Sequence, residues 1–158
     1  MAQPVKAVPD GYRTATPYLC IQGASEALAF YRKAFGAEEL VLMAMPDGKI
    51  GHAEIQIGDS RIMLADEFPN MPDAVTQSPK TLGGTSFGLC LYVPDVDAAF
   101  LRAVQSGAVV LRPIKNQFYG DRSGVVADPF GHIWTLSTHV EDVSPEDMEK
   151  RMQALPSI

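Results

Sequence analysis

The sequence predicts an α+β protein in which two βαβββ modules follow one another within a single domain of 158 residues. Two observations lead to this prediction. A strand-like run, an amphipathic helix and three further strand-like runs occur in that order twice along the chain. Both predicted helices also end in Gly-Ala, at Gly36-Ala37 and at Gly107-Ala108, 71 residues apart. This spacing is too long for a solenoid period, so it indicates a duplicated module.

Module one is predicted over about residues 12–66, after an extended arm over residues 1–10. A β-rich run covers residues 12–21, and a helix follows with Ser25 as its N-cap and Gly36 just beyond its last turn. Turn sequences Pro-Asp-Gly and Gly-Asp-Ser then separate three strands. These strands are expected at residues 38–44, 51–57 and 61–65.

Residues 67–84 are rich in proline and glycine and are predicted to form a linker. Module two then covers about residues 85–139 and repeats the order of module one. A strand is expected over 85–93, a helix over 95–106, and strands over 109–114, 122–128 and 132–138. A tail helix is predicted over about 144–154, because Ser144 is a good N-cap and proline is favoured at the first helical position.

Composition excludes several classes of partner. The formal net charge is −6 and no cluster of Lys or Arg interrupts it, which argues against nucleic-acid binding. No apolar stretch approaches the ~18 residues needed to span a membrane, and no secretory signal precedes the first module. A cytoplasmic location is therefore expected. Cys20 and Cys90 lie in apolar runs and are expected to be buried free thiols, although a disulfide stays open.

Three long motifs resemble one protein family. They are PYL followed by EALAFYRKAFGAE, then GHAEIQIGDSRIMLADE, then FYGDRSGVVADPFGHIWTLSTH. These motifs are similar to the vicinal oxygen chelate (glyoxalase/bleomycin resistance/dioxygenase) superfamily, and in particular to its PhnB-like branch. The resemblance covers about residues 12–143. It implies an open, cleft-like mixed β-sheet barrel with helices outside, and a homodimer, since such clefts are built by pairing modules within or across chains.

Metal-dependent members of this family place four His, Gln or Glu ligands on cleft-facing strands. Transferred through the shared motifs, the four positions fall on Thr16, Met63, Gly88 and Thr135. None of these residues is a normal ligand of a divalent metal. The resemblance therefore predicts a family member without the usual metal site, and no cofactor is expected.

Candidate ligand-binding residues come from both modules. His52 and Glu54 are two apart on a predicted strand, so they share a face and form either a polar pair in the cleft or a solvent-facing pair. Tyr119, Asp121 and Arg122 lie where two strands meet. There Arg122 could pair with a carboxylate or bind an anionic or carbonyl ligand. Trp134, Met63 and Tyr18 complete the candidates, as a possible apolar wall or as ordinary core.

Three functions are consistent with these residues. The first is a metal-free protein that binds a small apolar or aromatic molecule, as antibiotic-sequestering resistance proteins do. The second is a lyase, isomerase or dioxygenase that binds a divalent metal through relocated ligands such as His52 and Glu54. The third is a non-catalytic interaction protein that uses its linker and tail helix. Catalytic residues are unknown under each.

Overall fold

The computed structural model describes residues 5–156, so the first part of the predicted arm lies outside the described residues. The chain divides into two compact units between Gly84 and Thr85. Each unit contains a βαβββ module, which confirms the predicted α+β fold. In the described part of the chain the strands form two four-stranded mixed sheets rather than one closed barrel.

The first unit contains four strands and two helices. Its elements are β1 (Tyr18–Ile21), α1 (Ala24–Phe35), β2 (Glu38–Ala44), β3 (Ile50–Ile57), β4 (Ser60–Asp66) and α2 (Pro79–Leu82). The sheet order is β1-β4-β3-β2, with β1 and β4 parallel and the other neighbours antiparallel. Alternate residues of β3, such as Ala53, Ile55 and Ile57, are buried with the apolar side of α1.

The second unit repeats this arrangement. Its elements are β5 (Gly88–Tyr92), α3 (Val96–Gln105), β6 (Val109–Asn116), β7 (Asp121–Ala127), β8 (Ile133–His139) and α4 (Pro145–Gln153). The order β5-β8-β7-β6 has the same parallel and antiparallel pairs as the first sheet. The tail helix has the predicted Ser144 N-cap, whose side chain accepts a hydrogen bond from the Asp147 N–H.

The predicted N-cap of the first helix is wrong. Helix α1 begins one residue earlier than Ser25, and its N-cap is Gly23, in the left-handed region at φ 89° with no side-chain cap of its own. The carboxylate of Asp66, at the end of β4, accepts hydrogen bonds from the Gly23 and Ala24 N–H groups at 3.0 Å each. A partner distant in sequence therefore closes this helix, and local patterning does not reveal it.

The predicted linker contains ordered structure. Helix α2 begins after Ser78, and Glu67 is buried beneath the segment that carries it. One Glu67 oxygen accepts hydrogen bonds from Ser78 Oγ and Thr81 Oγ1 at 2.7 Å each, and from Gln22 Nε2 at 3.0 Å. These donors lower the pKa of Glu67 to about 2. A proline-rich segment is thus tied to the sheet by one buried carboxylate.

Candidate functional site

The open face of the first sheet, defined as the face that does not pack against α1, carries the predicted polar residues. His52 and Glu54 alternate with buried residues of β3, so both side chains lie on this face. Glu54 is directly opposite Met63 on β4, and Met63 is directly opposite Tyr18 on β1. The structure therefore brings together four of the eight predicted ligand-binding residues.

A chain of hydrogen bonds crosses this face. The Tyr18 hydroxyl lies 2.8 Å from His52 Nδ1, and His52 Nε2 lies 3.1 Å from Glu54 Oε1. The second oxygen of Glu54 accepts a hydrogen bond from the Tyr12 hydroxyl. With the imidazole proton on Nε2, every partner has a matching donor or acceptor. The chain thus holds His52 by both of its ring nitrogens.

Protonation states on this face follow from the same contacts. The Tyr12 hydrogen bond lowers the pKa of Glu54, with a smaller contribution from His52. Burial is the main cause that raises the pKa of both Tyr12 and Tyr18. At neutral pH the open face therefore presents a carboxylate between neutral tyrosine hydroxyls.

A groove lies between the open face and the arm formed by residues 5–16. Its volume is about 320 Å³. Apolar groups of the arm form one wall, and Glu54 and Met63 belong to the opposite wall. The residues of the groove used below are Val8, Pro9, Tyr12, Thr16, Glu54 and Met63.

The second unit has a separate polar cluster around Asp121. This buried carboxylate accepts a hydrogen bond from the Tyr92 hydroxyl at 2.7 Å and pairs with His139 Nδ1 at 2.9 Å. His139 Nε2 lies 2.9 Å from Asp142. Asp142 first and Asp121 second raise the pKa of His139, and Asp121 raises the pKa of Tyr92 to about 12. All of these polar groups are paired within the unit.

The other predicted residues of module two are not brought into one site. Arg122 lies on the opposite face of β7 and donates two hydrogen bonds to Asp97 on α3, at 2.7 and 2.8 Å. Trp134 is fully buried, and its indole donates to Asp128 at 2.9 Å, so it forms core rather than a ligand-facing wall. Tyr119 is partly exposed and packs edge-on against Phe118.

The fold and its motifs agree with a known family model. Residues 15–136 match the Glyoxalase/Bleomycin resistance protein/Dioxygenase superfamily. The chain belongs to this superfamily. No helix within residues 5–156 has the length and apolar character needed to cross a membrane.

Relatives of this superfamily member come from distant organisms. An uncharacterized protein of Mycobacterium tuberculosis is 42% identical over 139 residues, which is 88% of this chain and 82% of the relative. The crystal structure of TioX from Micromonospora sp. ML1 is 25% identical, with a TM-score of 0.61 over 80% of this chain and 99% of TioX. A PhnB protein from Bacillus cereus is 20% identical, with a TM-score of 0.62 over 80% of this chain and 99% of its own.

The four positions at which relatives carry metal ligands have definite places in the structure. Thr16 precedes β1, Met63 lies on the open face of the first sheet, and Thr135 pairs with Cys90 in the second sheet. A side chain at Gly88 would place its Cβ 3.3 Å from the Ile133 carbonyl oxygen. Across residues 5–156, no three or more His, Cys, Asp or Glu side chains are grouped so as to hold a metal ion.

Sequence reasoning missed two residues of the groove. Tyr12 was assigned only to a β-rich run, and Arg61 only to a strand. Arg61 in fact stacks its guanidinium on the Tyr12 ring, 4.5 Å from the ring centroid. The sequence Pro9-Asp10-Gly11-Tyr12 is a turn signal, and it could have shown that Tyr12 is presented from a turn rather than a strand.

Proposed function

We propose that this protein binds a small, largely apolar or aromatic molecule in the groove of its first unit, without a metal ion and without transforming it. The observation that supports this function best is the groove of about 320 Å³ between the arm and the open face. Ligand sites of drug-sized molecules occupy roughly 300–1,000 Å³, so the groove suits a compact ligand or one ring of a larger one. Its arrangement combines apolar walls with a few fixed polar groups.

The polar groups of the groove favour binding over metal-assisted catalysis. Both ring nitrogens of His52 already have partners, so a metal ion or a substrate proton would have to displace Tyr18 or Glu54. Threonine, methionine and glycine at the family's ligand positions do not supply the imidazole and carboxylate donors that a divalent ion needs. The residues present therefore fit an organic ligand better than a metal centre.

The family relationship supports the same proposal. The superfamily includes bleomycin resistance proteins by name. Sequestration of a small molecule requires a shaped groove and orienting hydrogen bonds, and it requires no activated oxygen. On this proposal the protein works as a homodimer that protects its target by withholding the ligand.

A ligand screen with two variants tests the binding groove. Native mass spectrometry and thermal-shift measurements with bleomycin and a panel of aromatic antibiotics should identify at least one compound that binds. We expect Met63→Lys to weaken that binding at least tenfold, because it places a charge on the groove wall. Met63→Leu should preserve it, because the volume and apolarity change little. No response from any compound, or equal binding by both variants, would contradict the proposal.

Elemental analysis tests the metal-free part. Protein purified without chelators should contain no stoichiometric Zn, Ni, Mn or Fe. One equivalent of metal that is lost in His52→Ala or Glu54→Gln would instead establish the metal-dependent lyase, isomerase or dioxygenase with relocated ligands.

A further inference from the structure

The arm that forms one wall of the groove has an encoded shape. The Tyr12 N–H donates to the Pro9 carbonyl at 3.1 Å, which closes a four-residue turn. Gly11 occupies the third position of this turn at φ 84°, where a type II turn requires a residue with positive φ. Lys6 pairs with Asp10 at 2.6 Å across the preceding residues. The turn therefore presents Tyr12 toward the sheet in a defined direction.

Tyr12 occupies a seat made by two residues of the sheet. Its hydroxyl donates to Glu54 Oε2, and its ring lies against the Arg61 guanidinium. A Cβ atom at Gly11 would come within 2.2 Å of Arg61 Nη2, so only glycine lets the turn approach this closely. A carboxylate acceptor beside a cation that faces an aromatic ring is a general arrangement for holding a phenol.

Arg61 supplies a second observation that indicates a ligand. Its Nε atom is buried and has no hydrogen-bond partner within residues 5–156. A buried donor without an acceptor costs roughly 1–3 kcal/mol, so a structure rarely retains one without a role. An oxygen on a bound molecule beside the ring position of Tyr12 would satisfy it. The Tyr12 side chain cannot, since its single oxygen is already directed to Glu54.

We infer that the seat formed by Glu54 and Arg61 recognises a hydroxyaryl group, and that Tyr12 is its resident occupant, which the ligand displaces. This inference rests on the proposed function and names the chemical class of its ligand. The phenolic hydroxyl of the ligand donates to Glu54, and its ring takes the place of the Tyr12 ring on Arg61. The arm thus lowers the apparent affinity for every phenol, because only molecules with its tyrosine displaced are competent to bind.

Titration calorimetry with 4-nitrophenol tests the inference. We expect Tyr12→Ala to bind 4-nitrophenol about tenfold more tightly than the unaltered chain, because the competing occupant is gone. Nitrobenzene, which lacks the hydroxyl, should gain much less. The combination of Tyr12→Ala with Glu54→Gln should lose most of the gain. Tyr12→Phe keeps the ring but not the hydrogen bond, so its affinity should lie between those of the other two chains.

Phe87→Ala is the matched control, because it removes an exposed aromatic side chain from the second unit. It should leave the affinity for 4-nitrophenol unchanged. Equal affinity of the unaltered chain and Tyr12→Ala, or an equal gain for nitrobenzene, would overturn the inference. If other aromatic compounds still bind the unaltered chain in that case, the proposed function survives. If neither chain binds any compound, both proposals are wrong.

Discussion

The two modules close the first turn of their helices by the same route but with different chemistry. In each module, a side chain from the end of the last strand accepts hydrogen bonds from the helix N-terminus. Asp66 accepts from Gly23 and Ala24 at 3.0 Å and, through its other oxygen, from the Ile50 N–H at 2.8 Å. Thr138 accepts only from Val96, at 2.9 Å, and donates to the Val93 carbonyl at 2.7 Å.

The difference follows from what each helix provides for itself. Helix α3 has its own N-cap, Asp95, whose side chain accepts from the Ala98 N–H at 3.0 Å. Helix α1 begins at a glycine with no side chain, so more of its donors depend on β4. A carboxylate is also favoured there by the positive end of the helix dipole. The last strand thus supplies what the local sequence of the helix lacks.

Removing the two caps should give unequal losses. Asp66→Ala leaves three N–H groups without their acceptor, and we expect the free energy of unfolding to fall by about 3 kcal/mol. Thr138→Val keeps its shape and leaves only one N–H unpaired, so a loss of about 1 kcal/mol is expected. Urea denaturation at pH 7 measures both. Equal losses would show that the two caps are equivalent and would remove the basis of the comparison.

Glu67 should make the first unit sensitive to acid. Its pKa of about 2 in the folded chain lies below the unfolded value of about 4.3, so it stabilises the fold above pH ~4.3. That stability is lost as the pH falls toward 2. We expect Glu67→Gln to cost about 2 kcal/mol at pH 7 and little at pH 2. The buried, unpaired Oε1 offsets part of the gain from the other oxygen.

Urea denaturation of the Glu67 variant at several pH values distinguishes this charge from simple packing. A loss of equal size at every pH would mean that the carboxylate acts only through its shape. Gln56→Glu adds a carboxylate to an exposed hydrogen-bonding side chain of the same sheet and serves as the matched control.

His139 should give the second unit the opposite pH dependence. Asp142 and Asp121 raise the pKa of His139, so the stabilising charge is fully present below the unfolded value of about 6.5. The stability is then lost as the pH rises through the raised pKa of the folded chain. His139→Gln should abolish this slope. NMR titration of the imidazole measures the pKa directly, and a value at or below 6.5 would contradict the prediction.

The pair between Arg122 and Asp97 should contribute least. Both side chains are substantially exposed, and exposed ion pairs are weakened by water and salt. Arg122→Gln should therefore destabilise the protein less than Thr138→Val in the same urea experiment. A larger loss would show that this pair fixes α3 on the sheet.

Much of the fold could be predicted because local signals were strong. Gly36 and Gly107 mark the ends of the two long helices, and the repeated order of elements gives the same strand order in both sheets. The alternation of β3 also placed His52 and Glu54 on one face. Pairing partners that are distant in sequence, such as Asp66 with Ala24, left no local pattern to detect.

The spacing of the repeat shows how a correct pattern can still be out of phase. Gly36 and Gly107 are 71 residues apart, but Asp66 and Thr138 are 72 apart. The strand pairs Tyr18–Met63 and Cys90–Thr135 also differ by 72 residues. Extending the helix-end spacing to the first strand therefore matched buried Ile21 with exposed Tyr92, which do not correspond. One inserted residue changes the face of a strand.

The candidate site was predictable only in part, because one side of it has no regular secondary structure. Met63 and Tyr18 follow from strand alternation, whereas the position of Tyr12 depends on a turn and on an interaction with Arg61. Trp134 was ambiguous because both faces of a buried strand can carry large apolar residues. Only the packing of α3 decides which face is filled.

The turn at Gly11 has a practical consequence for how this protein is studied. Residues 7–9 form one wall of the groove, and they reach it only through that turn. A fragment trimmed to begin at the first strand would present the sheet without its opposite wall. Compound screens on such a fragment would report a flat surface, and a purification tag joined next to residue 5 would lie beside the very site being screened.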